Sequence, residues 1–462
     1  MLGKTSEFTY PKELKPNHAK LPDWESYSAN LETEYIQSTE EGLDLSPYKD
    51  LFAAAAKLPK SEFKAKLGDL LFEAVQNAPY IEGYQYVEPS TLDEIKKLRK
   101  THTFPQKELN NASLEQQIHG AWLGRICGCL LGKTVEGIKT TELIPFLKET
   151  DNYPMHRYIH HADLNDEICA KYSFPFAKRC FADTCDGMPV DDDTNYMVLA
   201  YLIVKNWGRD FTSQDVANAW LRYQRKDAYC TAERVAFCNF IKGYEPPASA
   251  FYQNPYREWI GAQIRGDYFG YINPGNPELA AEMAFRDASI SHIKNGIYGE
   301  MFIAAMIACA AVTTNIEDII LGGLAEIPHT SRLYEQVTEL LADYHNGTTQ
   351  NECFTKIHTR YNEHNGHDWC HTISNALIVV ASLLYGNGDY GKSICMSVEA
   401  GFDTDCNGAT VGSILGMAFG LDCIEDVWSS PIQNRLHTSI FGVGTVNITD
   451  MVQKTMNHMI LE

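Results

Sequence analysis

The sequence predicts an all-α fold, on three observations. Strand signals are scarce from end to end. The long apolar runs have helical length. Acids and small residues also stand where helix starts and helix faces need them, in particular glycines at every fourth position over residues 120–132 and paired acids opening two apolar runs.

Residues 1–110 differ in composition from the rest. All thirteen cysteines lie beyond position 126, and this first part is rich in Lys, Glu and Pro. Short amphipathic patterns over 48–56 and 63–75 predict helices, with a surface helix over 92–100 and a linker to about 111. The expectation is a helical N-terminal extension, 1–110, packed on a main body, 111–462. No chemistry is legible in the extension.

Residues 117–132 read QIHGAWLGRICGCLLG, with glycines at 120, 124, 128 and 132. A spacing of four puts them on one helical face. Each costs about 1 kcal/mol against Ala in a helix interior. Such a face makes sense only where another backbone packs closely on it. A membrane dimer face has the same look, but Arg125 and the short span argue against one. Lys133 to Gly137 follows as a turn and leaves Glu136 at the helix end, readable locally as a surface residue or as a functional acid.

Residues 138–190 read as irregular, with prolines at 145, 154, 175 and 189. His156, His160 and His161 are ordinary surface or core histidines first and candidate ligands second. At 190 the chain reads VDDDTNYMVLAYLIVK. A helix that is apolar all round is buried, so its start is buried or in a cleft. There Asp191, Asp192 and Asp193 must stay exposed, lose charge, or be compensated by a cation.

Further helices are expected over 212–242. Residues 264–277 form an aromatic loop, suited to a lid or ligand wall and equally to plain structure. A helix over 278–288, a break at 289–296 and a buried small-residue helix over 300–311 follow, then amphipathic helices over 316–360. After an apolar stretch past 369, residues 401–409 read GFDTDCNGA and lead into the small-residue run 409–420. Asp403 and Asp405 thus sit at a helix N-terminus, where free N–H groups favour negative charge. Asp403, Asp405, Asn407 and Gly408 match the first half of an EF-hand. The twelfth position, where a bidentate Glu belongs, is Ile414. A capped, solvated helix start and a metal site shared with the acids near 192 remain.

The whole chain, 462 residues with 44% hydrophobic and 21% charged, is globular in composition. A net charge of −21 argues against nucleic-acid binding. The first residues carry no apolar leader, and the most apolar run, 297–312, contains Glu300 and falls short of a membrane span. Thirteen cysteines without a CxxC pair predict reduced thiols and a cytoplasmic setting, and argue against zinc.

Four features in order resemble the ADP-ribosylglycohydrolase family over about residues 117–459: the glycine-faced helix with Glu136, Asp192-Asp193-Thr194, the Ser289 to His292 segment, and Asp403-Thr404-Asp405. The resemblance implies a compact all-α domain that binds two magnesium ions between helices. It implies hydrolysis of an N- or O-ribosyl bond of an ADP-ribosyl substrate. Asp191, Asp192, Asp193, Asp403 and Asp405 would be metal ligands for one or two Mg²⁺ ions, and Glu136, Asp192 and Asp405 the catalytic set. His292 would line the substrate, with Asn273 and Gly275 touching its distal part. Two departures stand out. The family's T-D-D-T begins here with Asp191, and its D-T-D-T ends with Cys406, a poor ligand for a hard ion. One ion is then lost or shifted, or Asp191 supplies an extra oxygen. A hydrolase of a small ribosylated metabolite is the first alternative. The second is a non-catalytic member, since the family includes lens crystallins.

Overall fold

The computed structural model describes residues 15–172 and 179–459. The expectations about Pro175 and about the first fourteen residues lie outside it. Among the described residues there are 23 α-helices and one small hairpin, β1 (Arg435–His437) antiparallel to β2 (Thr445–Asn447), with Leu436 opposite Val446. The all-α expectation holds. The chain divides into two compact units, Met1–Tyr84 and Gln85–Glu462.

In the first unit α1 (Leu31–Glu40), α2 (Lys49–Ala56) and α3 (Glu62–Asn77) bury Leu31, Phe52, Leu71 and Phe72. Ser61 caps α3 by accepting from Lys64 N at 3.2 Å.

The second unit opens with α4 (Leu92–Lys97). Residues 85–110, grouped with the extension by composition, bond to this unit: Lys107 N donates to Val312 O, and the Arg332 guanidinium pairs with Glu88 at 2.8 Å. Next come α5 (Asn111–Lys133), α6 (Thr140–Glu149), α7 (Asp166–Lys171) and α8 (Asp192–Trp207). The stretch read as irregular therefore holds two α-helices among its described residues. Pro145 sits inside α6, whose fold is secured by complete burial of Leu143, Phe146 and Leu147. The chain continues through α9 (Ser213–Tyr223), α10 (Thr231–Ile241), α11 (Ala248–Phe251), α12 (Asp267–Tyr271), α13 (Pro277–Ala288) and α14 (Lys294–Ala310). Tyr268, Phe269 and Tyr271 of the aromatic segment are fully buried, so it is core rather than lid. Every residue of α14 is buried. Amphipathic α15 (Ile316–Leu324) and α16 (Arg332–His345) pack against it, and α17 (Gln350–Arg360) packs on α16 and on α19 (Thr372–Gly386), which follows α18 (Gly366–Cys370). The unit ends with α20 (Tyr390–Glu399), α21 (Thr404–Phe419), α22 (Asp426–Ser429) and α23 (Ile448–Met456).

The centre of the unit is the antiparallel pair α5 and α21. The glycine face of α5 meets a second one on α21: Gly120 faces Gly416, Gly124 faces Gly412, Gly128 faces Gly408, and Gly132 faces Thr404. A Cβ at Gly120 would lie 2.5 Å from the Gly416 carbonyl oxygen, and one at Gly408 2.5 Å from that of Gly128. No residue but glycine admits this approach. Gln117 Nε2 donates to Met417 O at 2.7 Å near one end, and Thr404 Oγ1 donates to Gly132 O at 2.9 Å at the other.

Candidate functional site

The Gly132 end of that pair carries the acids. Lys133 is the last residue of α5, and Thr404 the first of α21. Asp403 precedes α21 as its N-cap residue, without a side-chain cap bond, so its carboxylate is not spent on the helix. Ahead of it Gly401 (φ +74°) and Phe402 (φ +56°) both lie in the left-handed region. For a buried Phe this is a strained conformation, of the kind that clusters at functional sites. Asn375 on α19 fixes the loop: its Oδ1 accepts from Asp403 N at 3.1 Å and from Asn407 Nδ2 at 2.8 Å.

The start of α8 meets the same place. Asp191 caps it, its Oδ1 accepting from Asp193 N at 2.9 Å, while its Oδ2 accepts from Lys133 Nζ at 2.6 Å. Arg125, fully buried on α5, donates to Asp193 Oδ1 at 2.8 Å and to Ile264 O at 2.6 Å, and also pairs with Asp267. Asp191, Asp193, Asp403 and Asp405 are 4%, 0%, 6% and 3% exposed, so the acids have largely lost their hydration. Asp192 is half-buried and Glu136 stands at the exposed rim, where Arg179 donates to its backbone oxygen at 2.6 Å.

Electrostatics bind these groups into one system. Burial pushes the Asp405 carboxyl well above the usual range, and Glu136, Asp403, Asp191 and Asp193 push the same way. Burial likewise raises Asp192, with Asp191 and Asp193 adding to it, and raises Asp403. Asp193 rises to about 8 through burial, although the Arg125 charge opposes this. Glu136 is pushed up to about 7, first by loss of water around the carboxyl and then by Asp403 and Asp191. Burial alone lowers the Lys133 pKa, but Asp191 and Asp405 outweigh it and hold the ammonium charged.

The donor atoms form two groups, Cys129 with Asp191 and Asp193, and Asp403 with Asp405 and Cys406, each within 4.8 Å. Asp193 Oδ2 and Asp405 Oδ1 are buried without a hydrogen-bond partner. Bare carboxylate oxygens in a water-poor site fit a divalent cation, which would remove both the repulsion and the missing bonds. Burial holds the Cys129 and Cys406 thiols far above their ordinary pKa, so both are neutral and add little to a hard ion.

The predicted acids and Glu136 are thus neighbours, whereas the other three predicted residues bond elsewhere. His292 is fully buried, its Nδ1 2.8 Å from Ser291 Oγ and its Nε2 without a hydrogen-bond partner. Asn273 donates to Phe269 O at 2.8 Å and accepts from Arg209, and Gly275 N donates to Ala308 O at 2.8 Å in the turn before α13. Lys133, Arg125 and Asn375 were not singled out from sequence as site residues. The two cations had a signal, being charges on a helix otherwise buried along its glycine face.

A family model for ADP-ribosylglycohydrolase matches residues 110–456. Among solved structures, an ADP-ribosylglycohydrolase-related protein complex is similar over 76% of this chain and 100% of that chain, at 15% identity and a TM-score of 0.42. No curated protein matches the chain. No described helix is long and apolar enough to cross a membrane.

Proposed function

Because the chain belongs to the ADP-ribosylglycohydrolase family, we propose that it is a glycosidase that hydrolyses the N- or O-glycosidic bond of an ADP-ribosyl group, with Mg²⁺ as cofactor. One observation carries this reading. Acids from two helix starts more than two hundred residues apart share one buried site, with carboxylate oxygens that lack partners.

Asp403, Asp405, Asp193 and Asp192 would hold the cation, which when bound polarises ribose hydroxyls and a water. The chain's own part is threefold. Buried carboxylates favour the positive charge that grows on the ribosyl ring as the bond to the acceptor breaks. The backbone clamp between α5 and α21 fixes them before substrate arrives. Glu136, poised near neutral pH at the open rim, takes the proton from the water whose oxygen bonds to the anomeric carbon. All thirteen cysteines are free thiols, which supports a reducing, cytoplasmic setting.

The test is ribosyl release from ADP-ribosylated protein, with free ribosyl compounds in parallel. Release is expected with Mg²⁺, and a fall of at least 100-fold in EDTA and in Asp405→Ala. Undiminished release in either condition overturns the reading.

A further inference from the structure

Two ions are what the resemblance implies, yet the two donor groups are not alike. In the first, both oxygens of Asp191 are engaged: Oδ1 caps α8 through Asp193 N at 2.9 Å, and Oδ2 meets Lys133 Nζ at 2.6 Å. Asp193 Oδ1 is held by Arg125 at 2.8 Å. In the second group no lysine or arginine pairs with Asp403 or Asp405 among the described residues, and Asp405 Oδ1 has no partner. We propose that the Lys133 ammonium stands where one of two cations would otherwise bind, so that this chain builds a one-ion centre on Asp403, Asp405, Asp192 and the free oxygen of Asp193.

Three points support this, given the metal reading above on which it rests. First, the pair balances. Asp191 adds a carboxylate where the family pattern has a neutral threonine, and Lys133 adds the matching positive charge beside it. Second, the ammonium is tethered. Lys133 ends a helix fixed by glycine contacts to α21, so its local concentration far exceeds that of a free ion, and Mg²⁺ gives up its water reluctantly. Third, the Asp191 side chain is 1% exposed and both its oxygens already have partners, so it offers no bare oxygen to an ion as Asp405 does.

The experiment counts ions rather than turnover. Mn²⁺ is titrated into the full chain, and bound metal is read from the loss of the free-ion electron paramagnetic resonance signal. The wild type is expected to take up one Mn²⁺ per chain and Lys133→Met two, while Lys133→Arg, which keeps the charge, stays at one. The double variant Lys133→Met/Asp191→Thr removes the pair as a unit and is also expected to take two. It keeps the test open if the single variant fails to fold, as judged by far-UV circular dichroism. Two ions in the wild type overturn this inference and leave the enzyme reading intact. One ion in every variant also overturns it. No bound Mn²⁺ in the wild type overturns the metal reading itself.

Discussion

Replacing Gly128 by Ala sets two effects against each other. Ala is favoured over Gly by about 1 kcal/mol in a helix interior. Against this, the new Cβ would lie 2.5 Å from the Gly408 carbonyl carbon and 3.1 Å from Ala409 N, inside the 3.4 Å at which ordinary contact begins. The obstacle is backbone, so no rotamer relieves it, and α21 has to withdraw by about 1 Å. A gap of that size forfeits about a quarter to a half of each dispersion contact it opens. The loss spreads along the pair, since Gly412 and Gly416 are pressed against α5 in the same way. Overpacking of this kind costs about 1–3 kcal/mol, and a backbone obstacle belongs at the upper end. The net expectation is a destabilisation of about 1–2 kcal/mol despite the better helix former, or about 1–2 °C of Tm, since an unfolding entropy of about 2.1 cal/mol/K per residue makes each kcal/mol worth about 1 °C in a chain of this length. Thermal melts followed by circular dichroism measure it. Gly366→Ala is the control, because that glycine has an ordinary φ and no atom within 4 Å of its would-be Cβ. A Gly128→Ala protein that melts at or above the wild type would refute the steric account.

Two further outcomes are expected. Arg125→Met leaves Asp193 and Asp267 buried without their shared cation, and a loss of about 3–5 kcal/mol in urea unfolding is expected; a loss under about 1 kcal/mol would mean the pair is not carrying the site. Burial, reinforced by the Arg265 charge, holds His292 well below its ordinary pKa. The folded state therefore refuses a proton that the unfolded chain accepts below about pH 6.5. Stability should fall as pH drops from 6.5 towards 5.5, by up to about 1.4 kcal/mol per unit from this group. Comparison of wild type with His292→Asn isolates that slope, and equal slopes would count against it.

Much of this molecule was legible in its sequence because the signals were local. The all-apolar run after Asp193 and the small-residue run after Asp405 read as buried helices, and both are. The glycine face on α5 predicted a closely packed backbone, but not whose. The answer was present in the same notation, since Gly408, Gly412, Gly416 and Gly420 also recur at every fourth position. That run reads as a generic apolar helix until the partner is known. Helix α6 was obscured by Pro145, whose local penalty is outweighed by burial that only tertiary packing reveals. The cations were harder. Lys133 looks like a turn residue and Arg125 like an argument against a membrane, because an ion pair depends on which remote acid the fold delivers. Asn273 and Gly275 came from the aromatic loop and His292 from a resemblance of motif; the fold uses the polar groups of the first two, whereas His292 meets Ser291 through Nδ1 and keeps a buried Nε2 without a partner.

A contact that repeats is also a contact that can be misread. Slipping α21 along α5 by one glycine step would still set three glycines against glycines, and the ridge alone barely distinguishes the two alignments. The displaced carboxylates, however, would travel about 6 Å, four residues at 1.5 Å each, which would part them from Asp193 at the start of α8. Two side chains at the ends of the ridge help to set the alignment, Thr404 on Gly132 and Gln117 on Met417, and Thr404 is itself the link between Asp403 and Asp405. They act as end stops, and on them depends whether two distant parts of the chain arrive opposite each other at all.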